Sequence, residues 1–501
     1  MSDSGAAWRQ NYGTCCADSS TPTVSVSSAF LIQGSSADLL TQRSNPGIDD
    51  LPEDDLHGPR RTVLEQLAQS LHYAPYVKGF LLLWVPLVAL LALPPSESSG
   101  GTAFHIRSLQ LCVSNTAGNA LFWCALLLIF PTNTLLIEYL KDLVVRRDSP
   151  SLGIAVNLTA EHAAELLFSF FAMAHSKRTL CWVKPMLLGC VLVNQLGVLG
   201  SSILAAPLTD GNFVDIGISS WTAFSASGLV FSTVVFLLPT MYAVTVVGPD
   251  AADQLHQRHT PTKEVSKNQT RSMLFVSRSL ALCVVAVYAL YLWKVVHSNS
   301  NYYVSSDSPN TPSSLVYALQ YHERLRNTQD VDLGSRYSQR FAVTGALLCV
   351  ATLAVLCWVL VVTLPVAKMM TPVPLPFTLV ILLPCVFEAG GLAAAVLLSR
   401  GGRPDIAASI AFTSIVHVYM FVLPMVVLVG WLVLGAPLEL SFHSFLASCC
   451  FVSALVVAQV MSSHRVRWLE GGTLAAFYAI LVCICLLGRW HLCAREGYYH
   501  D

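Results

Sequence analysis

Residues 157–200 of the chain read NLTAEHAAELLFSFFAMAHSKRTLCWVKPMLLGCVLVNQLGVLG. The first part of this stretch places His162 and Glu165 among Ala, Leu and Phe, and the part after a short basic turn carries Asn194 in a second apolar segment. Ionisable side chains at bilayer depth are costly and usually mark the path of an ion or a proton. We therefore expect these side chains to belong to a buried functional site.

The composition is that of a membrane protein. The 501 residues are 54% hydrophobic and 12% charged, about half the charged fraction of soluble domains. The net charge of -1 leaves no basic excess for nucleic acid, so no nucleic-acid partner is expected. Most of the apolar segments approach or exceed the ~20 residues that span a bilayer. They are 77–93, 117–139, 151–175, 182–205, 217–246, 273–296, 340–365, 374–399, 405–434, 442–461 and 470–488.

Polar stretches divide the chain into parts. Residues 1–74 are rich in Ser, Thr, Asp, Pro and Gly and predict a disordered tail. Lys and Arg beside the segment ends favour a cytosolic location for this tail. Residues 103–116 are too short and polar to span and are expected at the interface, and 247–272 are expected to be a polar loop. The other predicted parts are a first transmembrane half (75–296), a polar central loop (297–339), a second transmembrane half (340–488) and a C-terminal tail (489–501).

The two transmembrane halves repeat one pattern. After Pro384, the second half reads CVFEAGGLAAAVLLSRGGRPDIAASIAFTSIVHVYMFVLP, with a small-residue helix carrying Glu388, a basic turn and a helix carrying His417. Five helices per half is an odd number, so the halves must lie in opposite orientations, as in secondary transporters. Gly390 and Gly391 predict close helix approach and local unwinding that frees carbonyl oxygens for a cation. The predicted fold is an all-α integral membrane protein with about 11 transmembrane helices, one N-terminal helix plus two inverted five-helix repeats.

Three stretches carry a family resemblance. Residues 153–166 (GIAVNLTAEHAAEL) are similar to the pattern G-G-L-L-N-A-T-x-G-N-A-x-E-L, and 188–200 (LGCVLVNQLGVLG) to L-G-S-x-x-S-N-x-L-L-V-L-G. Residues 383–392 (LPCVFEAGGL) are similar to L-P-x-x-G-N-A-A-E-H. Over about residues 75–488 the chain resembles the cation/proton exchangers of the calcium/cation antiporter superfamily, the CAX type of fungal and plant vacuoles.

This resemblance implies a proton-coupled cation antiporter in which each repeat supplies one Glu to the site. Glu165 keeps the first Glu, but Gly391 stands in place of the second. The Asn before each Glu is replaced by His162 and by Glu388, and His417 replaces a family Gln. Because Glu388 lies three residues before Gly391, on nearly the same helix face, we expect it to replace the missing carboxylate.

The predicted cation and proton site follows from these matches. Its main residues are Glu165, Glu388, His162, Asn194, His417 and Asn157, and its secondary residues are Glu161, Ser414 and Gly391. Glu165 and Glu388 are the expected metal ligands. The two histidines titrate near neutral pH and would shift any metal preference toward softer transition ions. Glu161 is interpreted as a helix-start charge favoured by the helix dipole. No cofactor is expected.

The sequence leaves three functions open. The first is a proton-coupled antiporter of calcium or another metal in a vacuolar or other internal membrane, with an altered or weakened site. The second is an exchange-deficient homologue that acts as a regulator or as a carrier of an organic metabolite. The third is a membrane-embedded acid/base catalyst on a hydrophobic small molecule, although the sequence has no nucleophile elbow, phosphate loop or metal-hydrolase motif. A transporter is therefore favoured over an enzyme. The expected partners are cations, protons and the lipid bilayer, and the sequence does not set the oligomeric state.

Overall fold

The computed structural model describes most of the region predicted to lie in the membrane. The described residues are 103–106, 109–112, 115–145, 156, 159–205, 216–217, 220–242, 263–302, 338–400, 404–463 and 465–488. The predicted N-terminal tail, the first apolar segment (77–93), the C-terminal tail and residues 303–337 of the central loop lie outside these residues.

The first half consists of helices preceded by a short hairpin. In chain order its elements are β1 (Ala103–Ile106), β2 (Leu109–Cys112), α1 (Asn115–Val145), α2 (Ala163–His175), α3 (Lys177–Leu192), a π-helical turn (Val193–Val198), α4 (Leu199–Ala205), β3 (Ile216–Gly217), α5 (Ser220–Tyr242) and α6 (Lys263–Tyr302). β1 and β2 pair antiparallel, with Ala103 opposite Cys112, inside the stretch expected at the interface. α6 extends into both neighbouring stretches expected to be polar loops. The extension at the N-terminal end of α6 arises because Lys, Glu and Gln are good helix formers. A hydropathy profile does not detect such polar helical residues.

The second half repeats the helical pattern and contains more π-helical turns. Its elements are α7 (Gln339–Met370), α8 (Leu375–Phe377), a π-helical turn (Thr378–Leu382), α9 (Leu383–Phe387), α10 (Ala389–Arg400), α11 (Pro404–His417), a π-helical turn (Val418–Val422), α12 (Leu423–Val429), a π-helical turn (Gly430–Leu434), α13 (Ser444–Ser462), β4 (Arg465–Val466) and α14 (Trp468–Leu487). β4 pairs antiparallel with β3, which places Val466 opposite Ile216 and joins the two halves.

The helices have the length and composition of membrane spans. Within the described ranges, seven helices are long and apolar enough to cross a membrane, and the bent pair Leu375–Phe387 and Ala389–Arg400 raises this to as many as eight. Ala163–His175 and Ala226–Tyr242 are shorter apolar helices. Every predicted segment from 117–139 onward overlaps with one of these, although 151–175 and 217–246 overlap only with the two shorter helices. The prediction of a helical integral membrane protein is confirmed, whereas the count of about 11 stays a prediction.

The helices differ in how much of their surface is enclosed. The span from Thr179 to Ala205 is the most buried, and α6 is among the most exposed. Phe275, Leu290 and Trp293 of α6 are each more than half exposed. Large apolar side chains on the outside of a helix bundle are expected where the bundle faces lipid. α3 and α4 therefore lie at the centre of the bundle.

α3 approaches the second half most closely at Gly189. A Cβ atom at this position would overlap with the backbone carbonyl of Val380 and lie 2.7 Å from the ring of Pro384. Val380 belongs to the π-helical turn that precedes α9. The absence of a side chain at Gly189 thus lets the backbone of α3 approach the backbone of Val380 and the ring of Pro384 at the interface of the two repeats.

Replacing Gly189 by Ala is expected to destabilise the protein by about 1–3 kcal/mol, because the clash with Val380 involves backbone that cannot move independently. The measurement is the thermal unfolding midpoint of the full-length protein purified in detergent. Gly228→Ala in α5 is the matched control, since a Cβ there meets nothing within 4 Å. Equal unfolding temperatures for the two variants would contradict this account of the interface.

Candidate functional site

Each repeat interrupts a helix at a single residue. His162 (φ -100°, ψ 21°) separates the helical residues 159–161 from α2. Glu388 (φ -89°, ψ 4°) separates α9 from α10, and the helical stretch Leu375–Phe387 is bent by 56° relative to α10. Both backbones lie in the sparsely populated bridge region, where many active-site residues are found. The two residues hold the same position in the repeated pattern, so the interruption is a shared feature of both repeats.

The interruptions keep their main-chain hydrogen bonds. The Leu166 N–H donates to the carbonyl oxygen of His162 at 3.2 Å, and the Leu392 N–H donates to that of Glu388 at 2.9 Å. The unwinding expected near Gly390 and Gly391 therefore does not free these two carbonyl oxygens, because each bend preserves the bond to the residue four positions on. The side chains at the two interruptions, rather than these two carbonyl oxygens, are therefore the candidate ligands.

The imidazole of His162 contacts a carboxylate from each repeat. Its Nδ1 lies 3.2 Å from Oε1 of Glu388 and 3.6 Å from Oε1 of Glu165. All three side chains are at most 1% exposed. The expectation that Glu388 approaches Glu165 agrees with this geometry, since both carboxylates meet the same imidazole.

Two neutral side chains orient this cluster. The hydroxyl of Ser414 in α11 lies 3.0 Å from Nε2 of His162. The amide of Asn194 donates a hydrogen bond to Oε1 of Glu388 at 2.7 Å. Asn194 lies in the π-helical turn after α3, a distortion that is often found at functional sites. Ser414 thus fixes the imidazole, and Asn194 fixes one oxygen of the Glu388 carboxylate.

Several atoms of the cluster are buried without a hydrogen-bond partner. They are both carboxylate oxygens of Glu165, Oε2 of Glu388, Nδ1 of His162 and the hydroxyl of Ser169. Ser169 lies one turn after Glu165 on the same face of α2. Buried polar atoms in native proteins are usually paired. An uncompensated buried charge costs several kcal/mol, so the cluster requires protons or a bound cation.

The cluster has the spacing of a metal site. One ligand atom from each of His162, Glu165 and Glu388 can be chosen so that all three atoms lie within 4.8 Å of one another. In the part of the chain that the structure describes, no other group of three or more His, Cys, Asp or Glu side chains meets that criterion.

His417 borders the cluster. Its ring stacks on that of His162 with the centroids 5.4 Å apart. Its Nδ1 lies 2.6 Å from the hydroxyl of Tyr288 in α6, and its Nε2 has no hydrogen-bond partner. Tyr288 is not among the predicted site residues, although a hydroxyl-bearing ring in an apolar helix is a signal that could have found it.

Glu161 lies beside the position of the missing second carboxylate. Its Oε1 is 3.0 Å from the point where a Cβ of Gly391 would lie, and Oε2 of Glu388 is 3.9 Å from that point. The amide of Asn133 in α1 donates to the main-chain oxygen of Glu161 at 3.0 Å. The interpretation of Glu161 as only a helix-start charge therefore misses that its side chain reaches the second repeat.

The structure brings together most of the predicted site residues. Glu165, Glu388, His162, Asn194 and Ser414 form the cluster, and His417, Glu161 and Gly391 lie at its edge. Asn157 lies outside the described residues. That these residues bind cations and protons stays a prediction.

Comparisons with known proteins find related membrane proteins. Residues 341–487 match the family model described as sodium/calcium exchanger protein. The chain is 28% identical over 337 residues to the putative vacuolar cation/proton exchanger 4 of Oryza sativa subsp. japonica, covering 66% of this chain and 69% of that protein. It is 27% identical over 367 residues to the vacuolar calcium ion transporter of Schizosaccharomyces pombe, covering 72% of this chain and 78% of that protein.

Solved structures share the fold. The structure of native YfkE matches with a TM-score of 0.53 at 20% identity, covering 74% of this chain and 93% of that chain. A structure titled H+/Ca2+ exchanger CAX matches with a TM-score of 0.53 at 12% identity, covering 85% of this chain and 93% of that chain. At these identities the likeness concerns the arrangement of helices.

Proposed function

Since the chain belongs to the calcium/cation antiporter superfamily, in its CAX-type cation/proton exchanger family, we propose that it is a proton-coupled antiporter of a divalent cation. The observation that carries the proposal is the meeting of Glu165 and Glu388, from opposite repeats, at one buried imidazole. Two carboxylates can neutralise one divalent cation, and the site offers unpaired oxygens on both. Among the residues that the structure describes, no comparable observation favours a metabolite carrier or an acid/base catalyst.

Charge compensation supplies the coupling. Two buried carboxylates with unpaired oxygens are too costly to leave ionised in a membrane interior. When the cation leaves, protons must therefore take its place on Glu165 and Glu388 before the transporter can change the side of the membrane to which the site is open. Cation and protons then occupy the same carboxylates in turn, which is what an exchange reaction requires.

The repeats supply alternating access. In transporters with inverted repeats, one helix group rocks against the other around a site near the midplane. Here Glu165 belongs to the first repeat and Glu388 to the second. The contact of Asn194 with Glu388 also crosses between them. A relative movement of the repeats would open the cluster to one side of the membrane at a time.

The relatives named above favour an internal membrane. The rice relative is called a putative vacuolar cation/proton exchanger and the Schizosaccharomyces pombe relative a vacuolar calcium ion transporter. We place this protein in a vacuolar or other internal membrane as a multi-pass protein, with the N-terminus in the cytosol. Removal of a cation from the cytosol into an acidic compartment is the corresponding direction of transport.

The experiment is uptake by proteoliposomes that contain the full-length protein and have an acidic lumen. Calcium, manganese and zinc are supplied outside in separate assays. We expect uptake of at least one of these ions, and collapse of that uptake when an ionophore dissipates the pH gradient. Uptake no greater than in protein-free liposomes for every ion would contradict the proposal.

A further inference from the structure

We propose that the site prefers a transition-metal dication of the zinc class over calcium, with Nδ1 of His162 as a ligand beside the carboxylates of Glu165 and Glu388. This inference rests on the proposed function and specifies its cargo. The family resemblance implies an Asn at position 162 and a Glu at position 391, and this chain has neither. The preference therefore follows from the side chains of this chain and their geometry.

The hydrogen bond at Ser414 sets the imidazole for metal binding. Nε2 of His162 lies 3.0 Å from the Ser414 hydroxyl, which can accept the Nε2 proton. Nδ1 then carries a lone pair, and it points at the two carboxylates without a hydrogen-bond partner. Metal-binding histidines usually donate their other ring N–H to an oxygen, which fixes the tautomer and the orientation of the ring.

The spacing of the three groups suits a small ion. Ligand atoms bound at about 2.0–2.2 Å around a tetrahedral zinc ion lie roughly 3.3–3.6 Å apart. Nδ1 of His162 lies 3.2 Å from Oε1 of Glu388 and 3.6 Å from Oε1 of Glu165. The nitrogen thus lies at about the separation from each carboxylate that a zinc-class ion needs. Ligand atoms of all three groups lie within 4.8 Å of one another, and water could take the fourth position around the ion.

The same cluster is poor in the ligands that calcium requires. Calcium takes about 6–8 oxygen ligands. Gly391 supplies no carboxylate, and the carbonyl oxygens of His162 and Glu388 are hydrogen-bonded to the backbone. An imidazole nitrogen, by contrast, suits zinc, iron, nickel and copper. The exchange of oxygen for nitrogen therefore favours the softer dication.

A different arrangement would give the opposite result. A protonated His162 could pair with Glu165 and Glu388 as a tethered cation, and it would then exclude any metal from Nδ1. Under that arrangement, replacing His162 by a neutral side chain would leave metal binding unchanged or strengthen it. The outcome of this substitution therefore distinguishes a ligand from a counter-ion.

The test is X-ray absorption at the zinc edge of the full-length protein loaded with one equivalent of zinc. We expect the outer-shell scattering of one imidazole, with a Zn–N distance of about 2.0–2.1 Å. This spectrum should lose the imidazole contribution in His162→Asn and keep it in His175→Asn, a matched change at the exposed end of α2. An oxygen-only shell in the unmodified protein would overturn the inference, even if the His162 variant does not fold.

Competition between calcium and zinc gives the second readout. We expect His162→Asn to lower the zinc affinity by about tenfold or more relative to calcium, and Ser414→Ala to lower it by about 10–100-fold through the loss of imidazole orientation. An unchanged zinc-to-calcium ratio in a folded His162→Asn protein would also overturn the inference. Gradient-driven uptake with an oxygen-only zinc shell would refute the cargo preference alone, whereas a nitrogen-ligated zinc without any uptake would refute the proposed exchange.

Discussion

Replacing Glu165 by Gln is expected to reduce pH-gradient-driven cation uptake by about a hundredfold or more. The substitution keeps the size of a side chain that is fully buried in α2 and removes its charge. Loss of one partner from a buried set of charges costs about 3–5 kcal/mol, and every 1.4 kcal/mol corresponds to about tenfold in binding. The measurement is the initial rate of uptake into proteoliposomes, normalised to the amount of folded protein.

Glu439→Gln is the matched control for this change. Glu439 accepts a hydrogen bond from Ser441 at 2.7 Å and lies 3.7 Å from the Lys184 ammonium at a partly exposed position. Exposed ion pairs contribute only about 0–1 kcal/mol, so uptake by this variant should stay close to that of the unmodified protein. Full uptake by Glu165→Gln would remove Glu165 from the site.

Replacing Glu388 by Gln is expected to have an effect of the same size, because its carboxylate is equally buried and meets the same imidazole. A rescue can then be designed from the family pattern. Combining Glu388→Asn with Gly391→Glu returns the second carboxylate to the family position, one turn further along the helix. We expect this double variant to recover a measurable part of the uptake that Glu388→Gln loses.

Gly391→Ala is the control for the rescue experiment, because it adds a side chain at position 391 without adding a charge. Its Cβ would lie 3.0 Å from Oε1 of Glu161, the mobile end of a long side chain. We therefore expect Gly391→Ala to keep most of the uptake.

For the Glu388→Gln variant, undiminished uptake would contradict the prediction, because it would show that the second repeat does not supply its carboxylate through Glu388.

The sequence was informative where the membrane and the repeat constrain it. Apolar segments of spanning length predict the helices, because each backbone polar group in lipid must be satisfied within a helix. The repeat predicts that Glu165 and Glu388 belong to equivalent helices. The spacing of Glu388 and Gly391 predicts that the charge moves by one turn without leaving its helix face. These features depend on local spacing, which a sequence contains.

Contacts between helices that are distant in the sequence were harder to predict from the sequence. The hydrogen bond between Ser414 and His162 joins residues 252 positions apart in the sequence, and the 56° bend between Leu375–Phe387 and Ala389–Arg400 follows from no periodicity. The approach of Glu161 to Gly391 is likewise a contact between the two repeats. A helical period identifies the face on which a side chain lies, but it does not identify the neighbour of that face.

The stoichiometry of cation binding tests the central claim most directly, namely that Glu165 and Glu388 hold one ion between them. Equilibrium dialysis of the full-length protein with zinc, and separately with calcium, gives the number of ions bound per chain. The shared site predicts about one ion per chain for the preferred cation, and none at the same concentration for Glu165→Gln or for Glu388→Gln. Binding by either single variant with the stoichiometry and affinity of the unmodified protein would contradict the claim.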